Sequence, residues 1–147
     1  MRHSNTSSLR AVFVLLASLM MLGLCSPPTV AQQPPAKDPS AILRSAKSIY
    51  VKSSSLLVRP AVIETKLRKR SEFQQLGLVI TRNPDEADLI LELRHDLFTM
   101  YVYSAVDPRT SIVVASGKLS SLGGTVAGKV AKRFMKQMMR ARAGTQT

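Results

Sequence analysis

The sequence predicts an α+β domain: a two-layer α/β sandwich in the order β-α-β-β-β-β-α, with a mixed sheet and both helices on one face. Three observations point there. Short runs that alternate apolar and polar residues recur between residues 48 and 119. The stretch "TVAGKVAKRFMKQMMRAR" (125–142) repeats instead at the helical period. Pro60 and Gly77 bracket a second helical stretch, proline in the first turn and glycine just past the end.

Each element follows from its own residues. "SIYVKS" (48–53) puts Ile49 and Val51 on one side and Tyr50 and Lys52 on the other, so it reads as a strand. The helix from Pro60 to Leu76 carries Val62, Ile63, Leu67, Phe73 and Leu76 within an arc of about 180°. Lys66, Lys69 and Arg70 share that arc, which predicts packing at a sheet edge with their aliphatic stems laid on apolar surface. "LVITR" (78–82) is a short strand, "NPDEA" a turn, and "DLILELR" (88–94) a strand with Leu89, Leu91 and Leu93 inward. In "LFTMYVYSAV" (97–106), Phe98, Met100, Val102 and Val106 are expected on the inner face, and Thr99, Tyr101 and Tyr103 on the outer. "DPRT" (107–110) is a β-turn that returns the chain as "SIVVASGKL" (111–119). In the last helix Val126, Val130, Phe134, Met138 and Ala141 form the apolar side. Lys129, Lys132, Arg133, Lys136 and Arg140 form a basic side.

The termini set the expected domain limits. Arg2 and Arg10, the apolar run from Ala11 to Cys25 and the small residues before Ala31 have the layout of a secretory signal. The run is short of the roughly 20 residues that a membrane-spanning helix needs, and Pro27 and Pro28 follow it. The expected organisation is a signal peptide over 1–31, a flexible linker over 32–44, one domain over 45–142 and a disordered tail over 143–147. Lipidation at Cys25 fits less well, because the bulky Leu24 precedes it. Cleavage after Ala31 removes the only cysteine and also His3, which excludes a disulfide, a thiolate nucleophile and a cysteine-zinc site. It leaves nineteen basic residues against nine acids, a net charge of +10. Such an excess draws a protein to anionic surfaces: envelope polymers, lipid headgroups or acidic proteins. Nucleic acid is an unexpected partner for an exported chain, despite "KLRKR".

Two segments, "FQQLGLVITRNPDEADLILEL" and the hairpin "YVYSAVDPRTSIVVASGKL", resemble small exported α/β domains of bacterial envelopes. Some of these are domains of unknown function. Others look like the N-terminal domain of TolB, CsgG, or the activator of penicillin-binding proteins. The likeness spans about residues 45–142 and rests on an Ala-Asp step into a long strand and an Asp-Pro-x-Thr turn. It implies a non-catalytic binding or assembly component.

No reactive constellation stands out. "NPDEADLILE" lacks the glycine and ligand spacing of a calcium loop. Along a strand Asp88 and Glu92 lie about 13 Å apart, too far to flank one reacting bond. "GGTVAGKV" (123–130) fits a phosphate-loop spacing, but Val130 stands where Ser or Thr would hold magnesium. The stretch is expected to be a strand-to-helix link in which Gly128 permits close packing. His95 has neither a second histidine nor a G-x-S-x-G motif beside it. The sequence therefore predicts no catalytic residue, no metal and no cofactor. A hydrolase would have to unite His95, Asp107 and serines in one pocket.

Two surfaces remain. One is a partner-binding sheet face carrying Tyr50, Lys52, Arg94, Tyr101 and Tyr103, where phenol rings with polar tips suit wet interfaces. The other is the basic helix side, Lys129, Lys132, Arg133, Lys136 and Arg140, suited to anionic polymer or peripheral membrane contact. The expected function is an exported, non-catalytic domain that binds or assembles an envelope component, protein or polymer.

Overall fold

A computed structural model describes residues 38–121 and 125–144. The predicted leader, its cleavage point, Cys25 and the tail at 145–147 lie outside the described residues. The fold is α+β, with a mixed five-stranded sheet. The elements run α1 (Pro39–Ser45), β1 (Ser48–Ser53), α2 (Pro60–Arg68), α3 (Ser71–Gln75), β2 (Val79–Ile80), β3 (Leu89–His95), β4 (Met100–Val106), β5 (Val113–Ser120) and α4 (Val126–Ala143). The strand order is β2-β1-β3-β4-β5; β1 is parallel to β2 and β3, and the remaining pairs are antiparallel.

Two helical stretches differ from the sequence expectation. Residues 39–44, assigned to the linker, belong with Ser45 to α1, whose first turn Asp38 caps by accepting from the Ser40 N–H. Leu43 and Ala46 then bury against the core, which is why this stretch is ordered. The single helix expected from Pro60 to Leu76 is broken, because Arg70 leaves the helical region at φ −87° and ψ 131°. The break re-aims the chain so that Ile63, Leu67 and Phe73 are all buried while Lys66 and Lys69 face water. One straight helix would have dragged those cations into the core. Gly77 ends the stretch at φ +61°, a left-handed cap that glycine supplies without strain.

Ile49, Val51, Leu89, Leu91 and Leu93 pack beneath the helices, with Val126, Val130, Phe134 and Met138 of α4 opposite them in one core cluster. The α4 apolar stripe is as its periodicity predicts, and α4 touches α1, α2, α3 and β5. Gly128 is a correction: a Cβ there would meet nothing within 4 Å, so close packing is not what places a glycine at this position.

Strand β4 is inverted relative to expectation. Tyr101 and Tyr103 are each 1% exposed and belong to the core, whereas Phe98 and Met100 face water. The pairing shows why: Leu93 stands opposite Tyr103, and His95 opposite Tyr101. Residues directly opposed in an antiparallel pair share a face, so the tyrosines join the leucines. A hairpin loop shorter or longer by one residue would have produced the predicted arrangement. Space for the Tyr103 ring comes from its β5 partner, Gly117, where an added Cβ would lie 2.7 Å from the ring. The Tyr103 hydroxyl donates to Oε1 of Gln137 at 3.1 Å, which satisfies its buried polar tip. Burial pushes the Tyr103 phenol pKa up, and the Arg133 charge acts in the opposite direction.

Candidate functional site

Of the predicted partner-binding residues, Tyr50, Lys52 and Arg94 lie on the sheet face that no described helix covers. Tyr101 and Tyr103 lie on the buried one. The register arranges the open face in rows. Tyr50, Ile90, Val106 and Val113 stand side by side across four strands and form an apolar band at the end where β1 and β3 begin. Lys52, Glu92, Ser104 and Ser116 form the next row, and Arg94, Val102 and Lys118 a third. Glu92 pairs with Lys52 at 3.6 Å and with Arg94 at 3.3 Å. Exposed pairs of this kind are worth about 0–1 kcal/mol each, so they orient side chains more than they stabilise the fold. Tyr50 also walls a cleft of about 500 Å³ with Arg59, Glu64, Thr81 and Arg82, beside the first turn of α2.

The predicted basic side of α4 divides in two. Lys129 Nζ donates to the Ser120 carbonyl at 3.1 Å, Arg133 donates to the Lys118 carbonyl, and Gln137 Nε2 donates to the Ser116 carbonyl at 3.0 Å. Four residues of helix rise about 6 Å and two residues of strand about 6.7 Å, so every fourth α4 side chain meets the carbonyl of every second β5 residue. This ladder occupies the acceptors of an edge strand that would otherwise pair with a neighbouring chain. Lys129 and Arg133 are thereby committed to the fold. Lys132, Lys136 and Arg140 remain exposed, and their side chains make no hydrogen bond or ion pair with any described residue.

The acidic stretch is a turn, as its chemistry predicts. Asn83 accepts from the Asp85 N–H and opens a short 3-10 turn over Pro84–Glu86. Asp88 has a further job: its carboxylate accepts from the N–H groups of Lys47 and Ser48 and from the Ser48 hydroxyl, tying the start of β1 to the start of β3. Burial raises the Asp88 pKa, but these hydrogen bonds and Arg109 at 3.4 Å outweigh it, and the net shift is downward. A depressed folded pKa supplies stability above the ordinary carboxylate range, and that stability is lost as pH falls through the folded value. Asp88→Asn is therefore expected to weaken the fold at neutral pH by about 1–2 kcal/mol and to flatten the acid limb of a stability-against-pH curve. Urea titrations between pH 7 and pH values below the carboxylate range check both; equal acid slopes in the two proteins contradict the assignment.

Asp38, Asp88, Asp107 and Arg109 border a second cleft of about 430 Å³ between α1 and the β4–β5 turn. Each carboxylate there is already engaged, Asp107 by the Arg109 N–H and the Thr110 hydroxyl. Among the described residues no group of three or more His, Cys, Asp or Glu side chains can hold a metal. His95 stands opposite Tyr101 near the start of β4 and Asp107 follows its end, about 20 Å away by strand rise, so these two cannot form a catalytic pair. The lysine of the phosphate-loop-like stretch is the same Lys129 that binds the Ser120 carbonyl.

Sequence reasoning missed the exposed apolar loops. Leu56 is 100% exposed, Leu57 67%, Leu97 64% and Phe98 91%. The first pair sits in the loop after β1 and the second in the β3–β4 hairpin. Parallel β1 and β3 end together, and the Ser54 N–H donates to the Leu93 carbonyl, so both loops crown the same end of the sheet. The readable signal was bulky apolar residues inside loop chemistry, "SSSLLVR" and "RHDLFTM".

No family model and no curated protein matches the chain. Among solved structures it is similar to PelC from Paraburkholderia phytofirmans, crystallised as a dodecamer. A leucine-to-methionine variant of PelC is 12% identical over 63% of this chain and 88% of PelC, with a TM-score of 0.40. A second PelC crystal form is 12% identical over 67% and 88%, with a TM-score of 0.36. A likeness this loose assigns no function.

Proposed function

We propose that the chain is an exported, non-catalytic domain that binds or assembles a cell-envelope component, and that the open sheet face is where it does so. The observation that carries this reading is the apolar row Tyr50, Ile90, Val106 and Val113, which no described element covers. An apolar band beside a row of charges is the composition of a protein-binding patch with a polar rim. The arginines flanking Tyr50, Arg59 and Arg82, suit an acidic group on the partner. The secretory layout of residues 1–31 and the basic excess support an envelope setting. A photo-crosslinking amino acid placed at Val106 is expected to capture a discrete partner in envelope extracts. Capture should fail with Ile90→Asp in the same chain while circular dichroism stays unchanged. Crosslinking no stronger than at Glu86, in the exposed turn, sinks the reading.

A second reading is electrostatic association with an anionic polymer through Lys132, Lys136 and Arg140, favoured by their spacing along α4 and their lack of partners among the described residues. Lys129 and Arg133 drop out of it as ladder residues. Reversing the three remaining charges should abolish a salt-sensitive retention on immobilised polyanion; retention indifferent to both salt and reversal rejects it.

A further inference from the structure

The apolar loops and the nearby cations lie in an order along the sheet that neither surface explains alone. Leu56, Leu57, Leu97 and Phe98 project furthest at the end where β1 and β3 finish. Met100, 40% exposed, follows Phe98 on the open side. Behind them Lys52, Arg94 and Lys118 face outward from three strands. Arg94 is about 10 Å back from the hairpin tip by strand rise.

Phe98 is the most telling residue. It closes the hairpin at φ +47°, a conformation that glycine or asparagine adopts easily and a bulky side chain rarely does. An aromatic held there, 91% exposed, costs conformational energy and gains nothing from packing in the free domain. Two bulky residues at each of two adjacent loop tips are likewise unfavourable in water.

We infer that this end of the sheet docks on an anionic lipid bilayer, with Leu56, Leu57, Leu97 and Phe98 in the interface and Lys52, Arg94 and Lys118 against the phosphates. Apolar groups of interfacial elements sink roughly 5–10 Å into the headgroup and acyl boundary. At that depth the cationic collar reaches the headgroup phosphates, and each cation near an anionic surface adds to the attraction. Among the described residues only Asp96 in the hairpin and Glu92, shared between Lys52 and Arg94, oppose the collar, and exposed apolar tips ahead of a cationic collar match the acyl and phosphate layers of an anionic bilayer in that order. The apolar tips lie at the opposite end of the open face from the apolar row, with Lys52 between them, so the bilayer contact and the partner contact are read by different probes.

The chain contains no tryptophan, which makes a single introduced indole an unambiguous depth probe. Residues 11–25 are themselves apolar, so vesicle binding alone does not decide the matter, whereas local depth does. Phe98→Trp and Val113→Trp are compared in the full chain with vesicles of dibrominated phosphatidylglycerol or dibrominated phosphatidylcholine. The expected result is a blue shift and loss of emission for Phe98→Trp on the anionic vesicles and neither for Val113→Trp, whose site is at the far end of the sheet. High salt, or Lys52→Glu, Arg94→Glu and Lys118→Glu together, should restore the Phe98→Trp emission. The inference is overturned by a Phe98→Trp indole that stays in water on bound vesicles, by equal quenching at both sites, or by equal quenching on neutral lipid. A blue shift without lipid overturns it too, because the loops then cover one another between copies of the chain.

Discussion

Gly117→Ala is expected to lower the stability of the domain by about 2–3 kcal/mol, a large share of the roughly 5–15 kcal/mol that holds a domain together. The added methyl would lie 2.7 Å from Cε1 and 2.8 Å from the hydroxyl oxygen of Tyr103, closer than real Cβ contacts come. The ring has little room to yield. It is 1% exposed within the core cluster, and its hydroxyl is held by Gln137, which also donates to the Ser116 carbonyl on the sheet edge. Moving the ring thus breaks a hydrogen bond and disturbs the α4 ladder as well. Urea unfolding measures the loss, and a double-mutant cycle with Tyr103→Leu tests its cause. With the ring gone, the same Gly117→Ala change should cost little. A full penalty in the Tyr103→Leu background would place the effect in the backbone instead.

The second large effect is expected at Arg142. Its guanidinium donates to the Leu76 carbonyl and to the Ala46 carbonyl, both at 2.8 Å. Those are the C-terminal caps of α3 and α1, so one side chain from the end of α4 closes two short helices. Helix ends leave carbonyls without intrahelical partners, and a planar fork with donors on both sides can serve two at once. Hydrogen bonds from a charged donor contribute about 1.5–3 kcal/mol each, and removing the donor strands two acceptors. Arg142→Ala should therefore cost about 3 kcal/mol, with the loss seen first as fraying of α1 in hydrogen exchange. Arg142→Lys should recover no more than half, because a single ammonium cannot span both carbonyls. Equal stability of the Lys and Arg proteins contradicts the double cap.

Local chemistry and period made most of this legible in advance. The order of the five strands, the turn at Asn83 and the apolar stripe of α4 needed only spacing and turn residues, and all are present. The helix break at Lys69 and Arg70 was signalled by cations on the apolar arc, although that conflict could as well have been resolved by snorkelling. The β4 face was not legible in the same way. Phe98, Met100 and Val102 on one side weigh about the same as Tyr101, Tyr103 and Ala105 on the other, so hydrophobicity alone does not choose. The choice was made by hairpin length and by a glycine fourteen residues downstream of Tyr103.

The candidate surfaces divide along the same line. An α4 cation reads the same whether it meets water or a strand carbonyl, so the split between Lys129 and Arg133 on the edge and Lys132, Lys136 and Arg140 in solvent required the sheet beside the helix. By itself the sequence determined the five strands, the last helix and their periodicity, because dihedral preference and side-chain period are properties of neighbouring residues. Tertiary structure decided which side of β4 is buried, which basic residues are spent on the fold, and that two apolar loops share one end. Those depend on pairing between residues far apart in the chain, where a shift of one position reverses a whole face.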